Sequence, residues 1–598
     1  MPEALRPVRF PAQRMTSRME AGGTRVFRSP LSLEPLPRNA NVALERGAAA
    51  HPHRAFLVAR DAADGWTALR YGDALRRVRA IAAGLLELGA TPERPLLVVA
   101  PNGIASGLVT LAALHVGIPI APIPPEYARA GVDPARLARL AAAVNPALAY
   151  VDASLAESDF RLTVAGLTRV ADIATLERGA TGAVETAARS VTLDTVAKIL
   201  FTSGSTGEPK GVITTHRMIV ANQVAFAQIW PPRDEPPVIV DWLPWSHSFG
   251  GSKVFNLALH RGGTLYVDEG RPTAAEFART LRNLREIAPS MYFGVPRSFA
   301  LLVPALANDE ALRERFFSNL DFAFSAAAAL PQPLVAAFAS VARAATPRIV
   351  PLFGGWGATE TAPGATCEHE FAARGASLGV PLPGVEIALV PVAGGRELRV
   401  RGPNVTPGYW RDAGATGAAF DASGFYRSGD AGTLVDEAVP DAGFAFAGRL
   451  AEHFKLSSGS WVVASALRSA FLEAASPLAF DAVITGADRD DVGALVYLDL
   501  AATRAFAGSP SLDCAVLAAD PSVRRHIARA LRSVNAGRRD RAERLARAAI
   551  VGEAPLSTTG ELTAKGTIAR AAALRLRANA IAALHDDAVA GERITPDL

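Results

Sequence analysis

Apolar positions in the first three quarters of the chain fall into short continuous runs separated by stretches at helical spacing. From Tyr71 to Leu88, the segment YGDALRRVRAIAAGLLEL has helical spacing, and Gly89 follows as a stop signal. The next run, PLLVVAPN, is typical of a short buried strand. Further β-rich runs lie between Ala-rich helical stretches, namely PALAYVDA, AKILFTSG, PPVIVDWLPW, GGTLYVDEG and PRIVPLFGG. The alternation predicts an α/β fold in which helices cover both faces of the strands.

The pattern changes twice toward the C-terminus. After about Gly375, short alternating strands with Pro and Gly turns indicate a small barrel-like subdomain of the same large body. Beyond GRLAEHFKLSSGSW, strands such as DAVITG and ALVYLDL lie among arginine-rich helices. We therefore predict an extended, Arg- and Pro-rich lead-in at residues 1–40, a large domain at 41–448 and a smaller, mobile α+β domain at 449–598.

Composition restricts the class of protein. The chain has 598 residues, about four times the ~150 of one typical domain, with 49% apolar and 20% charged residues. This predicts a multi-domain enzyme rather than a disordered or membrane-embedded protein. Two cysteines, Cys367 and Cys514, argue against a disulfide framework or a cysteine zinc site. The absence of a signal-like N-terminus or an apolar ~20-residue span predicts a cytoplasmic location and no membrane span.

Charge adds little. The 62 basic and 58 acidic residues give a net charge of +4, so nucleic acid is not an expected partner. The segment Arg524–Arg547 is rich in arginine. A solvated helix pair is favoured there over a docking site for the phosphates of a ligand.

The strongest motif is ILFTSGSTGEPKGVITTH at Ile199–His216, an apolar strand that leads into hydroxyl residues, glycines and Lys210. Glycines allow a tight backbone, hydroxyls add donors and the lysine adds positive charge. It is not a Walker A loop, because Lys210 lies between Pro209 and Gly211. The pattern predicts a phosphate-cradling loop rather than a plain surface loop. The loop residues assigned to it are Thr202, Ser203, Gly204, Ser205, Thr206 and Gly207.

The motif TSGSTGEPKG resembles the phosphate loop of the AMP-forming acyl-CoA synthetase (adenylate-forming) superfamily. Further matches follow in that family's order: DWLPWSHSFGG, FGGWGATET, YRSGDAG, GRLAEHFKLSSGSWV and TTGELTAKGTIAR. The resemblance covers most of the chain beyond residue 40. It implies a nucleotide site, with ATP, Mg²⁺ and coenzyme A as the small molecules used.

The resemblance implies roles for individual residues. In FGGWGATE, the glycines Gly355 and Gly357 let Trp356 stack on adenine, although such a Trp can also be a core residue. Thr359 is expected to contact a phosphate, and Glu360 to hold a divalent cation together with Thr202. Asp430 is expected to bind the ribose hydroxyls, and Arg449 to bind ribose or phosphate. Lys210 is expected to bind phosphate during the reaction. His247 is expected near the carboxylate of the acid, and a satisfied core residue is an equal alternative for it.

Two motifs depart from the family pattern. Most members carry a catalytic lysine directly after a glycine near the C-terminus, but here Gly560 is followed by Glu561. Lys565, within GELTAKG, is the lysine expected to act instead. At the domain hinge, relatives often carry Asp or Lys two residues after the arginine, where this chain has Ala451 and Glu452.

The motifs together resemble those of feruloyl-CoA synthases most. They imply an ATP-dependent acid-CoA ligase that forms an acyl-AMP and then a thioester, on an aromatic acid. The alternatives are a fatty acid-CoA ligase, an acyl-adenylate ligase that loads a carrier protein, and a non-catalytic nucleotide-binding protein. A monomer or homodimer is expected. Residues expected to line the acid pocket are His247, Phe249, Gly250, Val295, Ala326, Ala327 and Gly354.

Overall fold

The computed structural model describes residues 10–128, 134–155, 166–179, 182–203, 209–230, 233–273, 275–328, 330–370, 377–556, 559–562, 568–588 and 593–597. The chain divides into two compact units. The large unit comprises Met1–Leu389, Arg399–Ser428 and Leu434–Ala445. The small unit comprises Val390–Leu398, Gly429–Thr433 and Phe446–Leu598. The predicted domain limits at 41–448 and 449–598 stay a proposal.

The strands before residue 450 are β1 (Thr16–Met19), β2 (Arg25–Arg28), β3 (Ala55–Arg60), β4 (Trp66–Arg70), β5 (Leu96–Val99), β6 (Ile120–Ile123), β7 (Leu148–Val151), β8 (Thr168–Val170), β9 (Val196–Ser203), β10 (Pro209–Thr215), β11 (Val238–Asp241), β12 (Thr264–Val267), β13 (Met291–Gly294), β14 (Phe322–Ser325), β15 (Leu352–Trp356), β16 (Thr366–Cys367), β17 (Val380–Pro381), β18 (Glu386–Val392), β19 (Gly395–Arg401), β20 (Tyr426–Leu434) and β21 (Phe444–Arg449). The last four cross the unit limits.

The helices before residue 450 are α1 (Val42–Ala50), α2 (Tyr71–Glu87), α3 (Ile104–His115), α4 (Pro134–Val144), α5 (Gly182–Ser190), α6 (His216–Ile229), α7 (Phe255–His260), α8 (Phe277–Glu286), α9 (Pro296–Asn308), α10 (Glu310–Phe317), α11 (Gln332–Ala345) and α12 (Ala413–Ala419). Within the described ranges, no helix combines the length and apolarity needed to cross a membrane.

Two sheets form the framework of the large unit. One has the order β10-β9-β6-β5-β7-β8, and the other β17-β16-β15-β14-β13-β11-β12-β3-β4. In the second sheet, neighbouring strands from β15 to β3 are parallel. Strands such as Leu96–Val99 and Phe322–Ser325 are buried along their whole length, as expected where helices cover both faces. The predicted α/β class is confirmed.

Helix α2 shows how the local pattern determines an element. It begins at Tyr71 and ends one residue before the predicted limit, and Gly89 follows with φ of 75°. This left-handed position after the helix is one that glycine adopts at little cost. The apolar stripe of α2 is buried, and a Cβ at Gly84 would lie 2.0 Å from the carbonyl oxygen of Leu176. Gly84 therefore allows close packing against the chain at Leu176.

The N-terminal segment forms structure that the sequence analysis did not predict. Strands β1 and β2 pair as an antiparallel hairpin, and β2 pairs with Glu386–Leu389 of β18. Val26 and Phe27 are buried, and the Phe27 ring packs edge-on against Phe444, with centroids 5.2 Å apart. This part of the lead-in belongs to the core of the large unit.

The small unit has its own sheet and core. Its further strands are β22 (Phe454–Lys455), β23 (Trp461–Val462), β24 (Ala479–Thr485), β25 (Val492–Leu498) and β26 (Leu545–Ile550), and its helices are α13 (Ala464–Ala474), α14 (Leu500–Phe506), α15 (Cys514–Ala519), α16 (Pro521–Asn535), α17 (Arg570–Leu576) and α18 (Ala578–His585). Strand β25 pairs antiparallel with β24 and parallel with β26. Apolar residues of α13, α16 and these strands form one cluster. A smaller C-terminal α+β unit, as predicted, is confirmed; its mobility stays a prediction.

We expect Phe27→Ala to destabilise the large unit by about 3–5 kcal/mol, the usual result of truncating a buried Phe. Chemical unfolding followed by circular dichroism measures this loss. Met19→Ala is the control, because Met19 lies on the same hairpin but is 66% exposed. Equal stability of the two variants would show that the hairpin contributes nothing to the core.

Candidate functional site

Four neighbouring parallel strands of the large unit end at one edge of the sheet. Strands β11, β13, β14 and β15 are adjacent and parallel, so their carboxyl ends lie side by side. In open α/β sheets this edge is where ligands bind. Six of the residues predicted to line the acid pocket lie after these ends, and the seventh, Gly354, lies within β15.

Three of these residues follow β11. His247 begins a π-helical turn, Ser248–Val254, and its carbonyl accepts a hydrogen bond of 2.8 Å from the Gly251 amide. His247 and Phe249 are half-buried. A Cβ at Gly250 would lie 2.4 Å from the carbonyl oxygen of Leu243, so the turn requires glycine there.

The other predicted lining residues complete the edge. Val295 directly follows β13, and the amide of Ala326, after β14, donates to the carbonyl of Gly294. Ala327 is exposed and has φ of 75°, a left-handed conformation that costs a non-glycine residue about 1 kcal/mol or more. Gly354 lies within β15, and its amide donates to Glu368 at 2.8 Å. The structure therefore brings together residues that are more than a hundred positions apart in the sequence.

The Gly-Gly-Trp-Gly segment at β15 is tightly packed. A Cβ at Gly355 would lie 2.9 Å from both the Phe324 ring and the carbonyl oxygen of Thr366, and one at Gly357 would lie 1.8 Å from the Pro363 carbonyl oxygen. Trp356 is only 8% exposed. Both roles named for Trp356, in the core and against adenine, stay predictions.

Glu360 is held between two parts of the large unit. Thr359 is half-buried and begins the short 3-10 turn Thr359–Thr361, in which Glu360 is buried. The Tyr409 hydroxyl donates to Glu360 Oε1 at 3.0 Å, and the Thr406 amide donates to the Glu360 carbonyl at 2.8 Å. Burial first, and then the nearby Glu360 carboxylate, raise the pKa of the Tyr409 phenol far above its ordinary value. The phenol therefore stays protonated and donates to the carboxylate.

Tyr409 also contacts β10, the strand that follows the predicted phosphate loop. Val212 of β10 forms a bridge with Tyr409, and Lys210 Nζ lies 5.3 Å from the centroid of its ring. Lys210 pairs with Thr202 across β9 and β10. Tyr409 thus contacts Glu360 and lies beside Lys210, whose cross-strand neighbour is Thr202.

Part of the predicted site lies outside the described residues. This applies to Gly204, Ser205, Thr206 and Gly207 of the phosphate loop and to Lys565. Ser203 ends β9, and its side chain also lies outside the described part. Their roles stay predictions.

The donor set at Glu360 fits a magnesium ion that is shared with phosphates. Across the described residues, no group of three or more His, Cys, Asp or Glu side chains is placed to hold a metal. Mg²⁺ commonly uses one or two carboxylates, with phosphate oxygens and waters as its other ligands. Glu360 is a single buried carboxylate, and its partner Tyr409 lies beside Lys210, so this part of the described structure meets that requirement.

Asp430 and Arg449 lie in the small unit. Asp430 is buried, and the Arg449 Nε lies 2.9 Å from its Oδ1, while the Arg449 side chain is 57% exposed. The two residues assigned to ribose therefore form an ion pair with each other.

The small unit also explains the departure at Glu561. Its carboxylate is buried and accepts hydrogen bonds of 2.9 Å from two nitrogens of Arg577 and one of 2.8 Å from the Tyr497 hydroxyl. Burial acts to raise the pKa of Glu561, but Arg577 and Tyr497 lower it overall. The position after Gly560 is therefore a structural anchor in this chain.

The two flanks of the segment that contains Lys565 are joined. Leu562 and Ile568 form a β-bridge, and the Ala569 amide donates to the Glu561 carbonyl at 2.8 Å. The Ile568 amide donates to Asp481, which also pairs with Arg468. Glu561 and Asp481 thus fix the base of the segment from both sides.

Sequence reasoning missed Tyr409, Glu368 and Lys253. Glu368 is half-buried beside Gly354, and desolvation raises its pKa to about 7. Lys253 is fully buried among aromatic rings. Nothing in the local sequence distinguishes these residues from those of an ordinary loop or helix. Their environment in the folded protein is determined by contacts with distant strands.

We expect Glu561→Lys to destabilise the small unit by about 3–5 kcal/mol, since it breaks a buried ion pair and places two cations together. It should not improve activity, although it restores the family's Gly-Lys pair. The control is Glu553→Lys, which removes the exposed second partner of Arg577 and should change stability by less than about 1 kcal/mol. Urea unfolding measures both changes. A stable and more active Glu561→Lys variant would contradict the anchor role.

The comparisons with known proteins agree with the sequence resemblance. Residues 44–410 match the model of the AMP-binding enzyme family, and residues 453–589 match that of the AMP-binding enzyme C-terminal domain. The chain is 31% identical over 280 residues to an anthranilate–CoA ligase of Pseudomonas aeruginosa, covering 45% of this chain and 49% of that ligase. The chain therefore spans about half the length of this relative.

Two further comparisons cover more of the chain. It is 28% identical over 383 residues to a feruloyl-CoA synthase of Amycolatopsis, covering 62% of this chain and 72% of that enzyme. The fold matches the crystal structure of ATP-bound MatB from Rhodopseudomonas palustris with a TM-score of 0.67 and 20% identity, covering 91% of this chain and 100% of that one. Because the family model matches more than half of its length, the chain belongs to the AMP-binding enzyme family.

Proposed function

We propose that the protein is an ATP-dependent acid-CoA ligase, which joins an aromatic carboxylic acid of the feruloyl or cinnamoyl type to AMP and then to coenzyme A. The observation that carries the proposal is the linkage of Glu360, Tyr409 and Lys210 next to the carboxyl edge of β15. It places an anchored carboxylate and a cation beside an edge lined by small and aromatic residues.

The first reaction joins two anions, so its barrier is mainly electrostatic. An oxygen of the acid forms a bond to the α-phosphorus of ATP, and the bond to pyrophosphate breaks. In this proposal the loop at 202–207 and Lys210 would bind the phosphates, and Glu360 would hold Mg²⁺ against them. The ion would supply positive charge to the phosphoryl oxygens. Fixed donors of this kind commonly change a rate by about 10²–10³ each.

The second reaction transfers the acyl group. The thiol sulfur of coenzyme A attacks the acyl carbon, the bond to AMP breaks, and AMP leaves. In the proposal, Asp430 and Arg449 bind the ribose, and Lys565 lies between the acid and the α-phosphate in the first step. The contacts of Glu561 and Asp481 hold the described residues on either side of the Lys565 segment, and they support this role because held flanks leave less freedom to lose on binding.

The aromatic side chains at the carboxyl edge of the sheet support an aromatic acid as the substrate. Phe249 packs edge-on against Phe324, with centroids 5.9 Å apart, and against Phe293 at 6.5 Å. Phe249 is the half-buried ring of the three, and a partly exposed ring of this kind suits a flat aromatic ligand. Two of the relatives are, by their names, ligases for aromatic acids.

The proposal is tested with purified protein, ATP, Mg²⁺, coenzyme A and a panel of cinnamic, benzoic and fatty acids. We expect AMP release that requires an aromatic acid, together with equal amounts of a thioester. ATP–pyrophosphate exchange without a thioester would favour the carrier-protein alternative. If a fatty acid gave the highest kcat/KM, the substrate class would be fatty acids rather than aromatic acids. If no acid supported ATP–pyrophosphate exchange, the proposal would be refuted.

A further inference from the structure

Lys198 is a buried cation within the sheet that leads into the predicted phosphate loop. It lies in β9, between β10 and β6, and is 2% exposed. Its Nζ donates to the Gly251 carbonyl at 2.5 Å, a short distance that is typical of a charge-assisted hydrogen bond. Burial lowers the pKa of Lys198 to about 7, and no carboxylate of the described residues offsets that effect. The amine is therefore a buried cation without a countercharge in the described structure.

Lys198 lines a small cavity in the large unit. Other lining residues belong to β5 and β6 of the same sheet, and Trp245, Ser246 and Gly251 of the chain after β11 also line it. The cavity has a volume of about 20 Å³, which is enough for one water-sized particle. An organic acid or a nucleotide needs far more space. The occupant that fits is a water molecule or a monatomic ion.

Two further polar atoms of the lining residues lack a partner. The indole Nε1 of Trp245 and the hydroxyl of Ser246 are buried without a hydrogen bond. An indole N–H and a lysine ammonium can only donate, and a serine hydroxyl is able to donate. The Gly251 carbonyl already accepts from Lys198 and from Asn256 Nδ2, the latter at 3.2 Å. The cavity thus has several donors, and its occupant is expected to be an acceptor.

Charge distinguishes an anion from a water molecule. A buried cation is costly unless an opposite charge lies close to it. A water molecule would leave that charge uncompensated and would also need acceptors for its own hydrogens. The nearby imidazole of His216 supplies no charge of either sign, because burial, and then Lys198, lower its pKa to about 4. An anion of the size of a halide meets both needs of Lys198, a countercharge and an acceptor.

We propose that this cavity is a binding site for one halide ion such as chloride, held by Lys198, Trp245 and Ser246. The ion accepts hydrogen bonds from the ammonium, the indole N–H and the hydroxyl. Because Trp245 and Ser246 follow β11 while Lys198 lies in the other sheet, the ion joins the two parts of the large unit. A ligand that binds only the folded chain stabilises it by mass action, so chloride should stabilise this protein.

The first test measures urea unfolding of the full chain as chloride replaces gluconate at constant ionic strength. We expect the free energy of unfolding of the wild type to rise with chloride concentration, and this dependence gives the dissociation constant. In Trp245→Phe, which retains a ring but removes the N–H, the constant should increase about tenfold or more. In Lys198→Met the chloride dependence should disappear.

Lys253→Met is the matched control. Lys253 is also a buried lysine, 1% exposed, but it is not among the described residues that line the cavity. Its replacement should leave the chloride dependence as in the wild type, and all variants share the general effect of salt. The same dependence in the wild type, Trp245→Phe and Lys253→Met would overturn the inference, even if Lys198→Met does not fold.

A crystal structure with bromide in place of chloride locates the ion by its anomalous signal. We expect a bromide peak in the cavity, within hydrogen-bond distance of Lys198 Nζ. A water molecule in the cavity, or bromide bound only at the protein surface, would overturn the inference. Both experiments need neither acid nor nucleotide, so their outcome is independent of the proposed function.

Discussion

The hydrogen bond between the Tyr409 hydroxyl and Glu360 is the interaction on which the proposed chemistry depends. It joins the turn after β15, in one sheet, to the strand that leaves the predicted phosphate loop, in the other. A buried carboxylate is costly unless it is hydrogen-bonded, and the protonated phenol of Tyr409 meets this need. The same tyrosine places its ring beside Lys210, so one side chain fixes the distance between an acidic and a basic group of the site.

In the small unit, buried carboxylates are likewise held by hydrogen bonds, and there they fix the flanks of a segment. Glu561 is buried and fully engaged with Arg577 and Tyr497, and Asp481 holds the other flank of the segment that contains Lys565. Breaking a buried pair of this kind costs about 3–5 kcal/mol, which makes the anchor a strong constraint on the segment. With a glutamate after Gly560, the lysine proposed to act is Lys565, four residues further along.

Elements with a strong local signal could be predicted from the sequence. Helix α2 and strands β5, β7, β9, β11, β12 and β15 follow from periodicity and from continuous apolar runs, because a buried stripe or strand determines its own residue types. The hairpin β1–β2 was missed, since Arg and Pro dominate its surroundings and only Val26 and Phe27 are buried there. Its pairing with β18 is a contact across most of the chain length, which local pattern does not encode.

The site residues also divide into those that the sequence predicts and those that it does not. The residues at the carboxyl edge could be named from motifs, yet Tyr409 and Lys253 could not, because their environment is determined by burial and by partners tens of residues away in the sequence. The most direct test of the central claim is a crystal structure with ATP and Mn²⁺, which gives an anomalous signal in place of Mg²⁺. We expect a metal peak about 2.0–2.2 Å from a Glu360 carboxylate oxygen and bound to the triphosphate. A nucleotide bound elsewhere, or a metal without contact to Glu360, would contradict the account.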